Sequence, residues 1–424
     1  MLSNAWDYIP GDKFCLKVTD GTHDSPKPSE YGKPLITSKH IKGDEIDFDT
    51  AYLISEQDFN EINKRSKVEQ WDVIISMIGA YCGFCFVESN EDIDYAVKNV
   101  GLFKAGSEVN AKWLYYYLNS PIGRAHLDAV KSGSTQPYIA LGALRNLPIL
   151  VPKKDEVKEK IVAILDAIDT KIRVNKRINA ELEAMAKTLY DYWFVQFDFP
   201  ADSPQGQEKP YKSSGGKMIY NPTLKREVPD GWEVTTVGKI SKTELGGTPP
   251  TSVDEYWKGA DIPWLSSAET ASFPVITSEQ KVTLKGITNS AASILPKGTV
   301  VISIVRYIRP SILGIDAATN QSVVGIRECS RLKSSFIYPY FCSEVPRLMG
   351  LRTGAQQPHI NKGVVENSPI VIPCERVLTD YYKIADPIFE KIMNLAFQSH
   401  ELMQLRDWLL PMLMNGQVTV GEAS

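Results

Sequence analysis

Two stretches of this chain repeat apolar residues at alternating steps of three and four, which is the spacing of one face of an α-helix. The first covers residues 155–194, and Asp155 and Glu156 favour its start because carboxylates are stabilised near a helix N-terminus. The second covers residues 384–409. The predicted seam consists of Ile161, Leu165, Ile168, Ile172, Leu182 and Leu189 in the first helix and of Ile384, Ile388, Ile392, Leu395, Leu402 and Leu409 in the second.

The first predicted helix is too long to be stable alone. About 40 residues make a helix roughly 60 Å long, and propensity stabilises an isolated helix only marginally. The obvious partner of its seam is the seam of the second helix. Asn175 and Asn179 fall at seam positions of the first helix, where they would fix the register of such a pair. The alternative is that both asparagines are exposed to solvent.

A mixed α/β globule is predicted before each long helix. A helix is expected over 110–130, with Asn110 as its N-cap, and the loop-rich segments 16–44 and 244–267 would present side chains to solvent. Segments rich in β-branched and aromatic residues are the strand candidates: 71–79, 83–88 and 99–104 in the first half, and 300–305 and 321–328 in the second.

A repeated sequence relates the two halves. Residues 132–152, SGSTQPYIALGALRNLPILVP, align without a gap with residues 353–373, TGAQQPHINKGVVENSPIVIP. Nine of these 21 positions are identical, far more than chance allows, so the chain contains an internal duplication. The predicted domains are two globules at 1–152 and 231–373, long helices at 153–197 and 374–416, a linker at 198–230 and a tail at 417–424.

Composition narrows the class of protein. The chain has 424 residues, of which 43% are hydrophobic, and a net charge of −4. This charge excludes a uniformly basic nucleic-acid binder, so any polyanion must be held by local patches. The six cysteines are scattered and do not form a disulfide framework. Because no run of about 18 apolar residues and no signal peptide is evident, a cytoplasmic location is expected.

The sequence offers little material for catalysis. No GxxxxGK[ST] motif is present to cradle a nucleoside triphosphate. NLPI at 146–149 and NSPI at 367–370 lack the second proline and the aromatic residue of the Asn-Pro-Pro-Tyr motif of amino-methyltransferases. Cys82 and Cys85 form a CxxC without a second pair at zinc spacing, so a strand is favoured over a zinc or redox site. We predict no catalytic residue and no metal site.

The candidate binding residues are polar, aromatic and basic side chains in loops. In the two Gly-x-x-Gln-Pro loops, glutamine suits adenine edges, while hydroxyls and lysine suit phosphates. Arg306 and Arg309 flank Tyr307 just after a strand, which suits contact with phosphate or guanine. The alternatives are a purely structural turn and salt-bridged surface arginines. The candidate DNA-contacting residues are Thr22, His23, Lys27, Lys39, Ser134, Gln136, Tyr138, Thr248, Arg306, Tyr307, Arg309, Gln356, Gln357, His359 and Lys362.

These features together resemble the specificity subunit of Type I restriction-modification enzymes. Two variable globules, each closing with Gly-x-x-Gln-Pro and a Pro-Ile tail and each followed by a long helix, are similar to that family's plan. DGTHDSPK at 20–27 and GGTPPTSVDEYWKGADIPWLSS at 246–267 look like the starts of its two target-recognition domains. PYKSSGGKMIYN at 210–221 looks like its central region. The chain departs from the family where Glu156-Val157 and Glu375-Arg376 stand in place of the common Glu-Gln pair.

The resemblance implies a non-catalytic subunit with a mixed α/β fold, whose two long helices pair as an antiparallel coiled coil with pseudo-two-fold symmetry. Each globule would read one half of a split, asymmetric target in double-stranded DNA. The helices would recruit two methyltransferase subunits, which restriction and motor subunits join. S-adenosylmethionine, ATP and magnesium would then be bound by those partners, with no cofactor on this chain and no membrane contact. The competing functions are a methyltransferase or nuclease acting alone and a coiled-coil scaffold that binds only protein.

Overall fold

The chain divides into two compact units in the computed structural model, which describes residues 5–43, 45–202 and 208–418. The first unit comprises Met1–Ile172 and Glu401–Ser424, and the second comprises Arg173–His400. Each unit therefore takes part of both long helices. Among the helices of the described ranges, none is long and apolar enough to cross a membrane.

An antiparallel four-stranded sheet forms the centre of the first unit. Val73 and Ile75 of its central strand pack in one hydrophobic cluster and Ile74 in another, because successive side chains of a strand point to opposite faces. Both faces of this sheet are thus covered. From edge to edge, the strands of the four-stranded sheet are Lys17–Asp20, Val100–Lys104, Asp72–Ser76 and Cys85–Val87. A three-stranded sheet has the order Leu53–Ile54, Lys33–Thr37 and Ala96–Lys98, and a two-stranded sheet pairs Trp6–Pro10 with Pro148–Pro152.

The predicted single helix over 110–130 is wrong, because two helices cover this segment. The residue before a proline avoids the α conformation, and Ser120 precedes Pro121. Ser120 is extended, and its side chain caps the next helix by accepting from the amide of Gly123. The N-cap of the earlier helix is Ser107, not Asn110. The helices of this unit that precede the first long helix are Gly11–Phe14, Glu56–Ser66, Glu108–Asn119, Pro121–Val130 and Leu141–Arg145, with a 3-10 turn at Ser38–His40.

The second unit repeats the sheet plan of the first. Its four-stranded sheet has the order Thr243–Leu245, Val323–Ile326, Val300–Ser303 and Arg309–Ile312, its three-stranded sheet has Gln280–Val282, Ile262–Leu265 and Ala318–Thr319, and Glu233–Thr236 pairs with Pro369–Ile372. The helices that precede its long helix are Val237–Ile240, Leu284–Thr288, Ser334–Gly350 and Lys362–Glu366, with 3-10 turns at Asp254–Tyr256 and Glu269–Ala271. Two hairpins lie in the central segment, Pro200–Asp202 with Glu208–Pro210 and Met218–Asn221 with Arg226–Pro229.

The long helices span Asp155–Tyr190 and Glu375–Met414, and a π-helical turn at Asp191–Val195 follows the first. They contact each other within each unit. In the first unit, Ile161 and Leu165 share a hydrophobic cluster with Leu410, Leu413 and Met414.

In the second unit, the amide nitrogen of Asn175 donates to Gln398 Oε1 at 2.8 Å, and that of Asn179 donates to the Ile392 carbonyl at 3.1 Å. Residue numbers rise along one helix as they fall along the other, so these contacts run antiparallel. Asn175 is fully buried, which excludes the solvent-exposed alternative for it. Ile384 does not lie in the seam as predicted, because it is 47% exposed and Ala385 is buried instead.

Candidate nucleic-acid interface

The two Gly-x-x-Gln-Pro sequences form equivalent loops, at 132–138 (the first closing loop) and 353–359 (the second closing loop). Ser132 and Tyr138 exchange two backbone hydrogen bonds, and so do Thr353 and His359. The glycine after the first residue of each loop is left-handed, with φ of +85° at Gly133 and +96° at Gly354. A side chain at Gly133 would also lie 2.5 Å from the Gln136 carbonyl oxygen. Each loop therefore requires its glycine.

Each closing loop is fixed to the turn that follows a central strand. In the first unit, the amide of Gly79 donates to the Pro137 carbonyl at 2.9 Å, and the amide of Ile139 donates to the Met77 carbonyl at 2.9 Å. In the second unit, the amide of Arg306 donates to the Pro358 carbonyl at 2.8 Å, and the amide of Ile360 donates to the Ile304 carbonyl at 3.0 Å. The closing loop and the turn that it holds form the same backbone framework in both units. This framework presents Gly79 in one unit and Arg306 in the other.

In the first unit, this framework presents a polar, exposed surface. Ser134, Gln136 and Tyr138 are exposed, with Tyr138 at 46%. Ser38 ties a second loop to the same turn, since its hydroxyl accepts from the amides of Met77 and Ile78 and donates to the Asn99 carbonyl at 2.6 Å.

The exposed Lys39 follows Ser38, and the His23 ring lies 3.3 Å from Asn99 Oδ1, so both are connected to this surface. Lys27 is exposed, but among the described residues no hydrogen bond joins its side chain to this surface. Thr22 is buried, and its hydroxyl bonds Asp24 instead of facing solvent.

In the second unit, the framework presents arginine and aromatic side chains. Arg306, Tyr307 and Arg309 are exposed, and the Arg309 guanidinium lies 5.3 Å from the centre of the Tyr307 ring. Within the described ranges, neither arginine forms an ion pair, which argues against the salt-bridged alternative. Gln356, Gln357 and His359 of the second closing loop are also exposed.

The remaining two candidates have partners inside the protein. Lys362 pairs with Glu366 at 3.1 Å, which partly neutralises its charge. Thr248 is exposed, and its hydroxyl donates to Gln321 Oε1 at 2.5 Å. Gln321 is followed by Ser322, whose carbonyl accepts from the amide of Ile304, so Thr248 borders the same turn as Arg306.

One basic residue that sequence reasoning missed is Arg352. Its guanidinium donates to the carbonyl oxygens of Arg306 and Met349, so it holds the backbone beneath the arginine turn. The repeat carried the signal, because the shift of 221 residues places Lys131 at the equivalent position of the first unit. The Lys131 ammonium would lie 3.5 Å from a side chain placed at Gly83, so it too reaches the turn after a central strand.

Burial argues against acid–base or metal chemistry at His40 and at the CxxC cysteines. Burial, followed by the charge of Lys39, lowers the pKa of His40, whose Nδ1 accepts from the Thr37 amide at 2.9 Å. His40 is thus a neutral structural residue beside the exposed Lys39. Burial raises the pKa of both CxxC thiols, that of Cys85 to about 11, so both are protonated at neutral pH. No group of three or more potential metal ligands occurs in the part of the chain that the structure describes.

Comparison with known proteins agrees with this architecture. A family model described as the Type I restriction modification DNA specificity domain matches residues 21–184 and again residues 229–383. The chain is 26% identical to the Type I restriction enzyme MjaIX specificity subunit of Methanocaldococcus jannaschii, over 74% of this chain and 70% of that protein. It is 24% identical to the Type I restriction enzyme HindI specificity subunit of Haemophilus influenzae, over 68% of this chain and 73% of that protein.

A solved structure shares the fold. The crystal structure of a Type I restriction-modification system S subunit from M. genitalium has a TM-score of 0.58 at 13% identity and covers 97% of this chain and 96% of that one. The predicted mixed α/β fold with two globules is confirmed. A methyltransferase or nuclease acting alone and a protein-binding scaffold are not favoured. Since the two matched segments cover more than half of the sequence, the chain belongs to the Type I restriction-modification DNA specificity family and contains two copies of its specificity domain.

Proposed function

We propose that each unit reads one half of a split, asymmetric DNA target, so that the chain sets the sequence specificity of a Type I restriction-modification enzyme. The observation that carries this proposal is the pair of closing loops, which have the same backbone hydrogen bonds and different exposed side chains. Tyr138 and Gly79 in the first unit are replaced by His359 and Arg306 in the second. Two equivalent frameworks with unlike side chains suit the reading of two unlike half-sites.

The long helices recruit two methyltransferase subunits in this proposal, and restriction and motor subunits join them. We further propose that the helices pair as an antiparallel coiled coil with pseudo-two-fold symmetry. The antiparallel order of their contacts in the second unit supports this pairing. Catalysis then belongs to the partners, which would bind S-adenosylmethionine, ATP and magnesium. The complex would act on DNA in the cytoplasm.

A domain exchange tests the division of labour between the units. We expect that replacing residues 231–373 with the matching segment of a relative of different specificity changes one half of the methylated sequence. The other half and the unread spacer should be retained, because the first closing loop and the long helices are not altered. Methylome sequencing of cells that carry the exchanged chain with its methyltransferase subunits measures this.

The matched control is the reciprocal exchange of residues 1–152, which should change the other half alone. If either exchange changed both halves, the units would not be independent readers. If neither exchange changed the methylated sequence, the chain would not determine it.

A further inference from the structure

The turn that presents Arg306 has an unusual backbone. Arg306 has a left-handed φ of +62°, a conformation in which the β-carbon of an L-residue is crowded. The equivalent residue of the first unit is Gly79, with φ of +84°, and a side chain there would meet no atom within 4 Å. Glycine satisfies this turn without strain in one unit. The second unit holds an arginine in the same conformation, so the fold itself does not explain the side chain.

Two contacts fix the Arg306 backbone. Its amide donates to the Pro358 carbonyl of the second closing loop at 2.8 Å, and its carbonyl accepts from the Arg352 guanidinium. Arg352 also donates to the Met349 carbonyl at 3.0 Å, which anchors it to the end of a helix. The β-carbon of Arg306 therefore starts from a fixed point and direction.

The Arg306 side chain itself is uncommitted. It is exposed, and its guanidinium donates no hydrogen bond to any of the described residues 5–43, 45–202 and 208–418. By contrast, the Arg309 guanidinium, three residues further along the chain, lies over the Tyr307 ring, and the Arg352 guanidinium is bound to two carbonyls. Strained, fixed backbone under a free functional group is typical of residues that bind a ligand.

We infer that Arg306 reads a guanine in the half-site of the second unit and that Arg352 is the positioning residue that aims it. This inference rests on the proposed function. A guanine presents two acceptors, O6 and N7, to which an arginine donates two parallel hydrogen bonds. Such bidentate contact requires a fixed origin, which the Pro358 and Arg352 contacts provide, whereas contact with a phosphate charge does not. The first unit has glycine at this position and cannot make the same contact.

The test uses the full chain assembled with its methyltransferase subunits, and it selects bound duplexes from a randomised DNA library. We expect Arg306→Gly to lose the preference for guanine at one position of one half-site by roughly ten- to a hundredfold, with the other positions unchanged. Glycine suits the left-handed conformation, so the same variant should have an equal or slightly higher thermal midpoint. Lost recognition with retained stability separates a binding role from a structural one.

Lys225→Gly is the matched control. Lys225 is an exposed basic residue with φ of +53° in a hairpin turn of the same unit, so relief of backbone strain is shared while the DNA contact is not. It should keep the whole selected sequence. Arg352→Met should weaken the preference at the same base pair as Arg306→Gly, and Arg352→Lys should restore part of it by supplying a donor to the Arg306 carbonyl.

Each remaining outcome decides against the inference. A selected sequence that Arg306→Gly leaves intact would show that Arg306 does not read a base. A uniform loss of affinity with an unchanged selected sequence would assign Arg306 to a phosphate. If the wild-type complex selected no sequence, the proposed function would fail and this inference with it.

Discussion

The two long helices meet through different chemistry in the two units. In the first unit, Asp169 of one helix accepts a hydrogen bond from Arg406 of the other at 2.9 Å, and from the Tyr116 hydroxyl at 2.9 Å. Asp169 and Tyr116 are buried, and Arg406 is partly buried. This polar cluster joins three segments far apart in the sequence.

An aromatic cluster occupies the equivalent position of the second unit. The shift of 220 residues between the helices relates Asp169 to Phe389, and relates Ala186 to Arg406. Phe389 lies 6.0 Å from the Tyr338 ring and 6.5 Å from the Phe273 ring, and it shares a hydrophobic cluster with the fully buried Ala186. An ion pair in one unit thus corresponds to an apolar contact in the other.

The difference shows which features the duplication preserved. Strand order, closing loops and helix positions recur in both units, whereas the side chains that join the helices do not. Breaking an apolar contact leaves a cavity, and breaking an ion pair leaves a buried charge. The two units should therefore respond differently to substitutions at equivalent positions.

The largest effect is expected at the aromatic cluster. Phe389→Ala should lower the free energy of unfolding of the second unit by about 3–5 kcal/mol, because it removes a buried ring from a packed cluster. Urea unfolding, combined with amide hydrogen exchange over the strands of that unit, measures the loss.

Ile384→Ala on the same helix is the control. Ile384 is 47% exposed, so its truncation should cost within about 0.5 kcal/mol. A loss below about 1 kcal/mol for Phe389→Ala would mean that the aromatic cluster does not hold the helices together in this unit.

The features that the sequence predicted are those with a local pattern. The closing loops followed from the repeat, and helical spacing placed Ile161 and Leu165 at positions that are buried in the first unit. The break between two helices at Ser120 also has a local signal, because Pro121 follows it, but the prediction of a single helix overlooked that signal. Ile384 was misassigned because a strict step of three and four cannot show where the packed face shifts by one residue to Ala385.

The features that the sequence could not predict depend on contacts between distant segments. In the sequence, Asp169 resembles a solvent-exposed residue of a helix, because its partners Tyr116 and Arg406 are far away along the chain. The equivalence of Gly79 and Arg306 follows a repeat shift of 227 residues, not 221, because loop lengths differ between the central strands and the closing loops, and the sequence does not show that the two positions share one turn. Backbone conformation at Arg306 has no signature in the sequence, since arginine rarely adopts a left-handed φ.

Disrupting the polar cluster should cost less stability than disrupting the aromatic cluster, and further substitutions should restore the stability that is lost. Arg406→Leu should destabilise the first unit by about 2–3 kcal/mol, because Asp169 stays buried without its ion pair. The value lies below that for fully buried pairs, since the Arg406 side chain is 29% exposed. The same urea and hydrogen-exchange measurements, applied to the first unit, report it.

The triple variant Tyr116→Phe, Asp169→Leu and Arg406→Leu should return to within about 1 kcal/mol of the wild-type stability, because no buried polar group then lacks a partner. Lys64→Leu is the control, since Lys64 forms an exposed pair with Glu61 in the same unit and should contribute within about 0.5 kcal/mol. A triple variant as unstable as Arg406→Leu alone would show that shape, not charge pairing, dominates in this unit.

The smallest effect is expected at Asn175, where the second unit itself contains a buried polar group between the helices. Its amide nitrogen donates to Gln398, but its Oδ1 is buried with no hydrogen-bond partner among the described residues. The shift of 220 residues relates Asn175 to Leu395, so the repeat already contains an apolar residue at this position.

Asn175→Leu should therefore raise the stability of the second unit by up to about 1 kcal/mol, since Gln398 is exposed and water replaces its lost partner. A single buried asparagine fixes helix register at some cost in stability. In the variant, the helices can pair in more than one register, so the hydrogen-exchange rates of the amides of 173–190 should become less uniform. If Asn175→Leu instead destabilised the unit by more than about 1 kcal/mol, the asparagine would be a stabilising contact. Polar side chains would then stabilise the helix–helix contacts of both units.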